Sequence, residues 1–315
     1  MKPFNHVNAK SIAEARAVLG SGKAVIIAGG TDLLGTLKDD ILPTYPATIV
    51  NIKTIPGLDY IRQEGGMLRI GTNTRLADIA SHEVIKQQYT ALAQAAVRVA
   101  TPHIRDMATI GGNLAQLHRC WYFRKPQNRF PCIRKGGKTC FALNGENRYH
   151  SIFGGTNMCI AVHSSDIAPA LIALNARVVT SARTIDAENF FDVGKPGNTV
   201  LAPDEIITEI QVPTPPAEAR STFLKFAIRK SIDFPIVNCA VMTGKGTARI
   251  ALNAVAPKPY RALKAEAIIA GKPISETSAE AAAVAAVADA KPLEATKYKV
   301  QIARTLVKRA LLATV

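Results

Sequence analysis

The chain has 315 residues, enough for two cores, and its 48% hydrophobic and 20% charged residues exclude a disordered chain. No run approaches the roughly 18 apolar residues of a membrane span. The net charge of +15 is spread along the chain, aromatics are only 6%, and no zinc-finger, RRM or helix-turn-helix pattern occurs, which weighs against nucleic acid as a partner. A solvated basic surface, or basic groups facing an anionic cofactor or an acidic partner, remain open.

The N-terminal stretch MKPFNHVNAKSIAEAR lacks an apolar core after a basic start, so a secretory signal of its own is not expected. The expectation is a cytoplasmic protein, or one exported on a partner's signal. Ser11 and Glu14 have capping-box spacing and open a helix that runs to about Leu19. Ala24 to Ala28 reads as a buried strand. It runs into Gly29-Gly30-Thr31-Asp32, a tight turn whose glycines let the backbone bend and approach a ligand closely. Amides after such a turn can hold phosphate oxygens, although most diglycine turns only turn.

Thr48 to Ile52 and Met67 to Gly71 read as strands, with turns and a weak strand between them. Helices are expected from Thr72 to Ser81 and from Tyr89 to Val99, the second stopped by Pro102. Thr109-Ile-Gly-Gly-Asn113 is a second diglycine turn, and two such turns can serve one extended anionic ligand. Further on, Arg177 to Ser181, Ile206 to Val212 and Phe223 to Ile228 alternate as strands do. The Pro-rich stretch Pro213 to Arg220 reads as a domain boundary. Beyond it, Ile236 to Thr243 and Ala248 to Ala254 predict antiparallel strands, and Ser278 to Asp289 and Lys297 to Leu312 predict helices.

Four of the five cysteines fall in one basic segment, as C-x11-C-x7-C-x18-C over Cys120, Cys132, Cys140 and Cys159. No acidic residue occurs from Arg119 to Gly145. Disulfides are not expected in a chain that reads as cytoplasmic. Zinc modules grip one ion from C-x2-C knuckles, and none is present. Widely spaced thiolates suit a bulkier object such as a 4Fe–4S cluster, whose negative charge a basic loop would offset. Zinc, or buried thiols with no metal, stay open at this level. His118, His150 and His163 flank the cysteines and could replace one. Gly136 and Gly137 would let the backbone fold close. Trp121, Tyr122, Phe123, Phe130 and Phe141 could exclude water. Cys239, inside IVNCAVM, reads as a small core residue.

The motifs IIAGGTDL (Ile26 to Leu33), TIGGN (Thr109 to Asn113), SDIAPAL (Ser165 to Leu171), DEIITEIQVP (Asp204 to Pro213) and FLKFAIRKSIDFPIVNCAV (Phe223 to Val241) occur in that order. In that arrangement the whole chain resembles the FAD-binding medium subunits of the molybdenum hydroxylases, the group of xanthine dehydrogenase, carbon monoxide dehydrogenase and aldehyde oxidoreductase. The resemblance implies an α+β fold: a two-lobed PCMH-type FAD-binding domain over residues 1–217, then a smaller α/β C-terminal domain of antiparallel sheet plus helices over 218–315. Between TIGGN and Ser165 the chain carries a long insertion, about residues 116–162. It resembles that of a subgroup with an extra 4Fe–4S cluster, including the β subunit of 4-hydroxybenzoyl-CoA reductase and a bacterial aldehyde oxidoreductase FAD subunit. That resemblance implies Cys120, Cys132, Cys140 and Cys159 as the cluster's ligands.

It also implies the FAD contacts. Ile26, Ile27, Ala28, Gly29, Gly30, Thr31, Asp32 and Leu33 would wrap the pyrophosphate from one side, through the amides of Gly29, Gly30 and Thr31. Thr109, Ile110, Gly111, Gly112 and Asn113 would take the other side. Asp166 would bond the adenosine ribose, Ile207 would hold the ring system, and Lys225 would lie near the isoalloxazine. Core packing for Ile207, a solvated charge for Lys225 and a helix N-cap for Asp166 are the competing readings. Val99 departs from relatives with an aromatic residue near the flavin. No catalytic acid–base pair is expected. The function implied is electron transfer between an external acceptor or donor and two partner subunits, one large with the molybdenum cofactor and one small with 2Fe–2S clusters. No membrane or nucleic-acid partner is expected. The alternatives are a stand-alone flavin oxidoreductase of the same fold and a zinc-stabilised basic nucleic-acid-binding module.

Overall fold

The computed structural model describes residues 1–155, 158–193 and 198–315. The first layer is a parallel sheet. Strand β1 (Asn5–Asn8) is followed by helix α1 (Ile12–Leu19), strand β2 (Ala24–Ile27), helix α2 (Leu33–Lys38) and strand β3 (Thr48–Asn51). The sheet order is β1-β3-β2, with both pairings parallel. Parallel neighbours need crossover connections, which α1 and α2 supply. Ser11 caps α1 by accepting from the Glu14 amide, as the sequence predicts.

A second, antiparallel layer follows. It comprises β4 (Ile61–Glu64), β5 (Met67–Gly71), β6 (Arg177–Thr180), β7 (Thr184–Asp186) and β8 (Ile207–Pro213) in the order β4-β5-β8-β6-β7. Helices α3 (Leu76–Ser81), α4 (Glu83–Gln88), α5 (Thr90–Val97), α6 (Pro102–Arg105), α7 (Ile110–Leu114) and α8 (Ile167–Ala173) lie between β5 and β6 in the chain. Pro102 does more than stop α5. It occupies the first turn of α6 behind a Thr101 cap, where its missing N–H is no loss. The TIGGN segment likewise opens a short helix, α7, capped by Thr109. Among the described residues no helix is long and apolar enough to cross a membrane.

The last layer is the antiparallel sheet of β9 (Arg220–Phe226), β10 (Val237–Gly244), β11 (Thr247–Asn253) and β12 (Tyr260–Arg261), backed by α9 (Leu263–Ile269), α10 (Glu276–Ala286) and α11 (Lys297–Leu312). Strand β10 carries apolar residues on both faces because both are covered, with buried Asn238 as a polar exception. Ala240 joins the core of the five-stranded layer, while Cys239 and Val241 face the core shared with α9, α10 and α11. The two halves of the chain therefore share apolar contacts across the four-stranded sheet. Val99 is buried in the first of these cores.

Candidate functional site

The turn after β2 and the start of α7 face each other across a cleft of about 480 Å³. That is within the usual range for cofactor pockets. Residues Ile26 to Leu33, Thr109, Gly111, Gly112 and Ile207 line it. Two glycines are there because nothing larger fits. A Cβ on Gly29 would stand 2.0 Å from the Met107 carbonyl oxygen, and one on Gly111 would stand 2.0 Å from Thr72 Oγ1. Gly30 has a left-handed φ of +73°.

The two turns differ in their donors. The amides of Ile110, Gly111 and Asn113 already donate to the carbonyls of Thr74, Thr72 and Thr109, and that of Gly112 donates to Thr109 Oγ1. Those of Gly29, Gly30, Thr31, Asp32 and Leu33 have no acceptor among the described residues. The first turn thus presents donors, and the second presents a close-packed wall. Ile110 is buried in the main core and Asn113 accepts from the Ser165 hydroxyl; neither lines the cleft.

Asp32 has a role that sequence reasoning missed. Its carboxylate accepts from Arg119 Nη2 at 2.7 Å and from the Leu117 amide at 2.9 Å, and pairs with Arg124 Nη2 at 2.8 Å. Arg124 in turn donates to the carbonyls of Leu117 and His118. The first glycine turn is therefore tied to the root of the cysteine segment. The wall between the two sites is thin: Leu117 lines the cleft, and the next residue, His118, lines a cavity with all four cysteines.

Around that cavity Cys120, Cys132, Cys140 and Cys159 are free thiols, the first, second and fourth buried and Cys140 half-buried. The Ala161 amide donates to Cys159 Sγ at 3.5 Å, and His150 Nε2 lies 3.2 Å from Cys120 Sγ. Burial pushes the Cys120 thiol up to about 12, against the pull of the Phe123 and Tyr122 amides. Burial likewise holds Cys159 at about 11 and keeps His150 and His163 neutral, each down at about 4. Tyr122, Phe123 and Phe141 line the cavity, and Phe130 packs edge-on against Tyr122 and Phe141. Trp121 is not among the residues lining the cavity; it packs at a tilt against Tyr149 and donates to the Glu146 carbonyl. Gly136 takes φ +86°, and a Cβ on Gly137 would strike the Pro131 carbonyl oxygen at 1.9 Å, so the diglycine there is sterically required.

Two buried cations adjoin the thiols, Arg134 and Lys135. Lys135 Nζ has no hydrogen-bond partner and lies 5.2 Å from the centre of the Phe123 ring. A buried ammonium without acceptors is expensive unless negative charge stands nearby. Deprotonated thiolates, or an anionic group on them, would provide it. Among the described residues no group of three or more His, Cys, Asp or Glu side chains forms a ready site for a single metal ion.

Asp166 and Lys225 form a buried ion pair. Lys225 Nζ donates to Asp166 Oδ2 at 2.6 Å and to the Arg98 carbonyl at 3.0 Å, with both side chains buried. Asn238 donates to the other carboxylate oxygen at 2.7 Å. Neither residue lines the cleft. Asp166 holds the N-cap position of α8, but its carboxylate makes no capping bond; the Ser165 hydroxyl accepts from the Ala168 amide instead. Lys225 is not a solvated charge. Ile207 both lines the cleft and belongs to the core.

A cleft with a row of unpartnered amides on a strand–turn–helix, opposed by a second glycine segment, defines a dinucleotide-binding protein. Comparison with known proteins narrows the class. The FAD binding domain in molybdopterin dehydrogenase matches residues 2–215, and the CO dehydrogenase flavoprotein C-terminal domain matches residues 222–314. The chain is 35% identical over 284 residues to the aldehyde oxidoreductase FAD-binding subunit of Escherichia coli, covering 85% of this chain and 86% of that protein. It is 30% identical to the carbon monoxide dehydrogenase medium chain of Hydrogenophaga pseudoflava, covering 98% and 96%. The solved carbon monoxide dehydrogenase from that organism, lacking the Mo-pyranopterin moiety of its cofactor, superposes with a TM-score of 0.77 over 100% of this chain and 98% of that one. The chain belongs to the FAD-binding medium subunits of the molybdenum hydroxylase family, and FAD is its cofactor.

Proposed function

We propose that this chain is the electron-transfer subunit of a three-subunit molybdenum hydroxylase, carrying FAD in the cleft and a 4Fe–4S cluster on Cys120, Cys132, Cys140 and Cys159. The observation that carries the reading is the convergence of four free thiols on one cavity whose wall is shared with the cleft. When bound, the two groups supply two-electron and one-electron redox chemistry, which orientation and local charge in the protein tune.

The chain's own residues have four tasks. The amides of Gly29 to Leu33 hold the pyrophosphate, while Gly111 and Gly112 close the far wall without a side chain in the way. Ile207 offers apolar contact to a ring system. The cysteines hold the cluster as thiolates, so loading must displace their protons. Buried Arg134 and Lys135 offset the negative charge that results. Substrate is chosen in the large subunit, and electrons reach this chain through a small 2Fe–2S subunit. The FAD-binding domain spans residues 1–217 with the insertion at about 116–162, and the C-terminal domain spans 218–315.

The test is the visible spectrum of the anaerobically purified complex before and after Cys132→Ser. Flavin bands should persist, while broad iron–sulfur absorption assigned to this chain should disappear. An unchanged difference spectrum would defeat the cluster assignment and leave the FAD assignment standing.

A further inference from the structure

We infer that Arg134 sets the reduction potential of the cysteine site, and that Asn198 is the positioning residue that aims it. The inference rests on the cluster reading above and adds a control element to it.

Arg134 follows Cys132 by two residues, lines the cysteine cavity, and is 3% exposed. Its Nη1 donates to the Val193 carbonyl at 3.0 Å and its Nη2 to Asn198 Oδ1 at 2.5 Å. Cys159, Cys132, Asp192 and Cys120 are among the ionisable side chains whose negative charge, once they are deprotonated, acts on it. Asn198 is itself pinned from several sides. Its Oδ1 lies 3.0 Å from His118 Nδ1, and its amide nitrogen donates to the Gln116 carbonyl at 2.8 Å. Gln116 lines the flavin cleft and His118 lines the cysteine cavity. One buried asparagine thus joins the guanidinium to the wall between the two sites.

A guanidinium stays charged at every working pH. One electron entering the cysteine-bound group, supplied by the complex's own oxidation of substrate, makes that site one unit more negative with no proton required. A fixed positive charge in a poorly screened interior favours the reduced form and raises the potential. Neutralising that charge should shift electron distribution from the cluster toward the flavin by on the order of tenfold. A purely structural strut between residues 134 and 198 would change stability and iron retention but not the potential of a fully loaded site.

The experiment is an EPR-monitored redox titration of the purified complex with wild-type chain, Arg134→Lys, Arg134→Gln and Asn198→Asp, with iron measured on each sample. With full iron, R134Q and N198D should titrate at lower potential, and R134K should stay close to wild type. N198D keeps Arg134 in place and brings a carboxylate to it, so it carries the test even where R134Q fails to load. Unmoved potentials in fully loaded N198D or R134Q would overturn the inference while leaving the cluster reading intact. Absence of chain-borne iron in the wild-type complex would overturn both.

Discussion

Gly29→Ala is the sharpest probe of the cleft. The new Cβ would sit 2.0 Å from the Met107 carbonyl oxygen, 2.7 Å from the Met107 carbonyl carbon and 3.0 Å from Ala108 Cα. All three are backbone atoms, so no side chain can rotate away. Reaching ordinary van der Waals separation requires the two glycine segments to part by about 1 Å or more. Overpacking of this kind costs about 1–3 kcal/mol. If that strain falls on the holo geometry, the Kd for FAD rises by roughly 5- to 150-fold. The assay is FAD per complex after gel filtration, followed by fluorescence titration of the stripped protein with FAD. Gly35→Ala is the control. It lies one turn along the chain in α2 with nothing within 4 Å of its added Cβ, and alanine is the better helix former. It should keep full flavin. Stoichiometric FAD bound with wild-type affinity by Gly29→Ala would refute the close-approach account of the turn.

Other substitutions test other parts of the site. Asp32→Asn removes the anchor for Arg119 and Arg124, so flavin and iron should fall together, as measured on one sample; loss of flavin alone would contradict the link between the two sites. Glu205 lines the cleft, and although burial works to raise it, Arg183, Thr180 and the Ala202 amide hold it down at about 2. Its folded value lies below its unfolded one, so its stabilisation is complete above about pH 4.5 and is lost as pH falls toward 2. Glu205→Gln should therefore destabilise the protein by about 2 kcal/mol at pH 7 in urea melts, with the gap narrowing below the ordinary carboxylate range and closing only as pH approaches the folded value of about 2. Lys299 is fully buried in α11 and donates to the carbonyls of Tyr149, His150 and Ala254. Lys299→Met strands three acceptors at the root of the cysteine segment and should lower the thermal midpoint with partial loss of iron; iron retained at full stability would show that this anchor is dispensable.

The legible parts of the sequence were those with local causes. Ser11 with Glu14, the apolar run Ala24 to Ala28 and the strand patterns Ile236 to Thr243 and Ala248 to Ala254 each report on their own neighbourhood and formed within about a residue of expectation, whereas the strand expected at Phe223 to Ile228 formed at Arg220–Phe226. The two diglycine turns were visible as turns. What separates their roles was not, because it depends on whether Thr72 and Thr74, far away in sequence, accept the amides of the second turn. Asp32 illustrates the same limit: its three partners all lie at residues 117–124. The pairing of Asp166 with Lys225 joins residues from different halves of the chain. Asn198 and Lys299 carried no signal, since a lone asparagine and a helical lysine read as ordinary surface residues. Their burial follows only from packing that spans the whole fold. Helix α9 was missed because LKAEAII is short and its amphipathic face becomes clear only against β11.

Iron and acid-labile sulfide per FAD, compared between the wild-type complex and the same complex with Cys132→Ser, test the proposed 4Fe–4S cluster on the four cysteines most directly. A difference of about four irons and four sulfides with flavin retained is expected. Equal iron in the two complexes would contradict it.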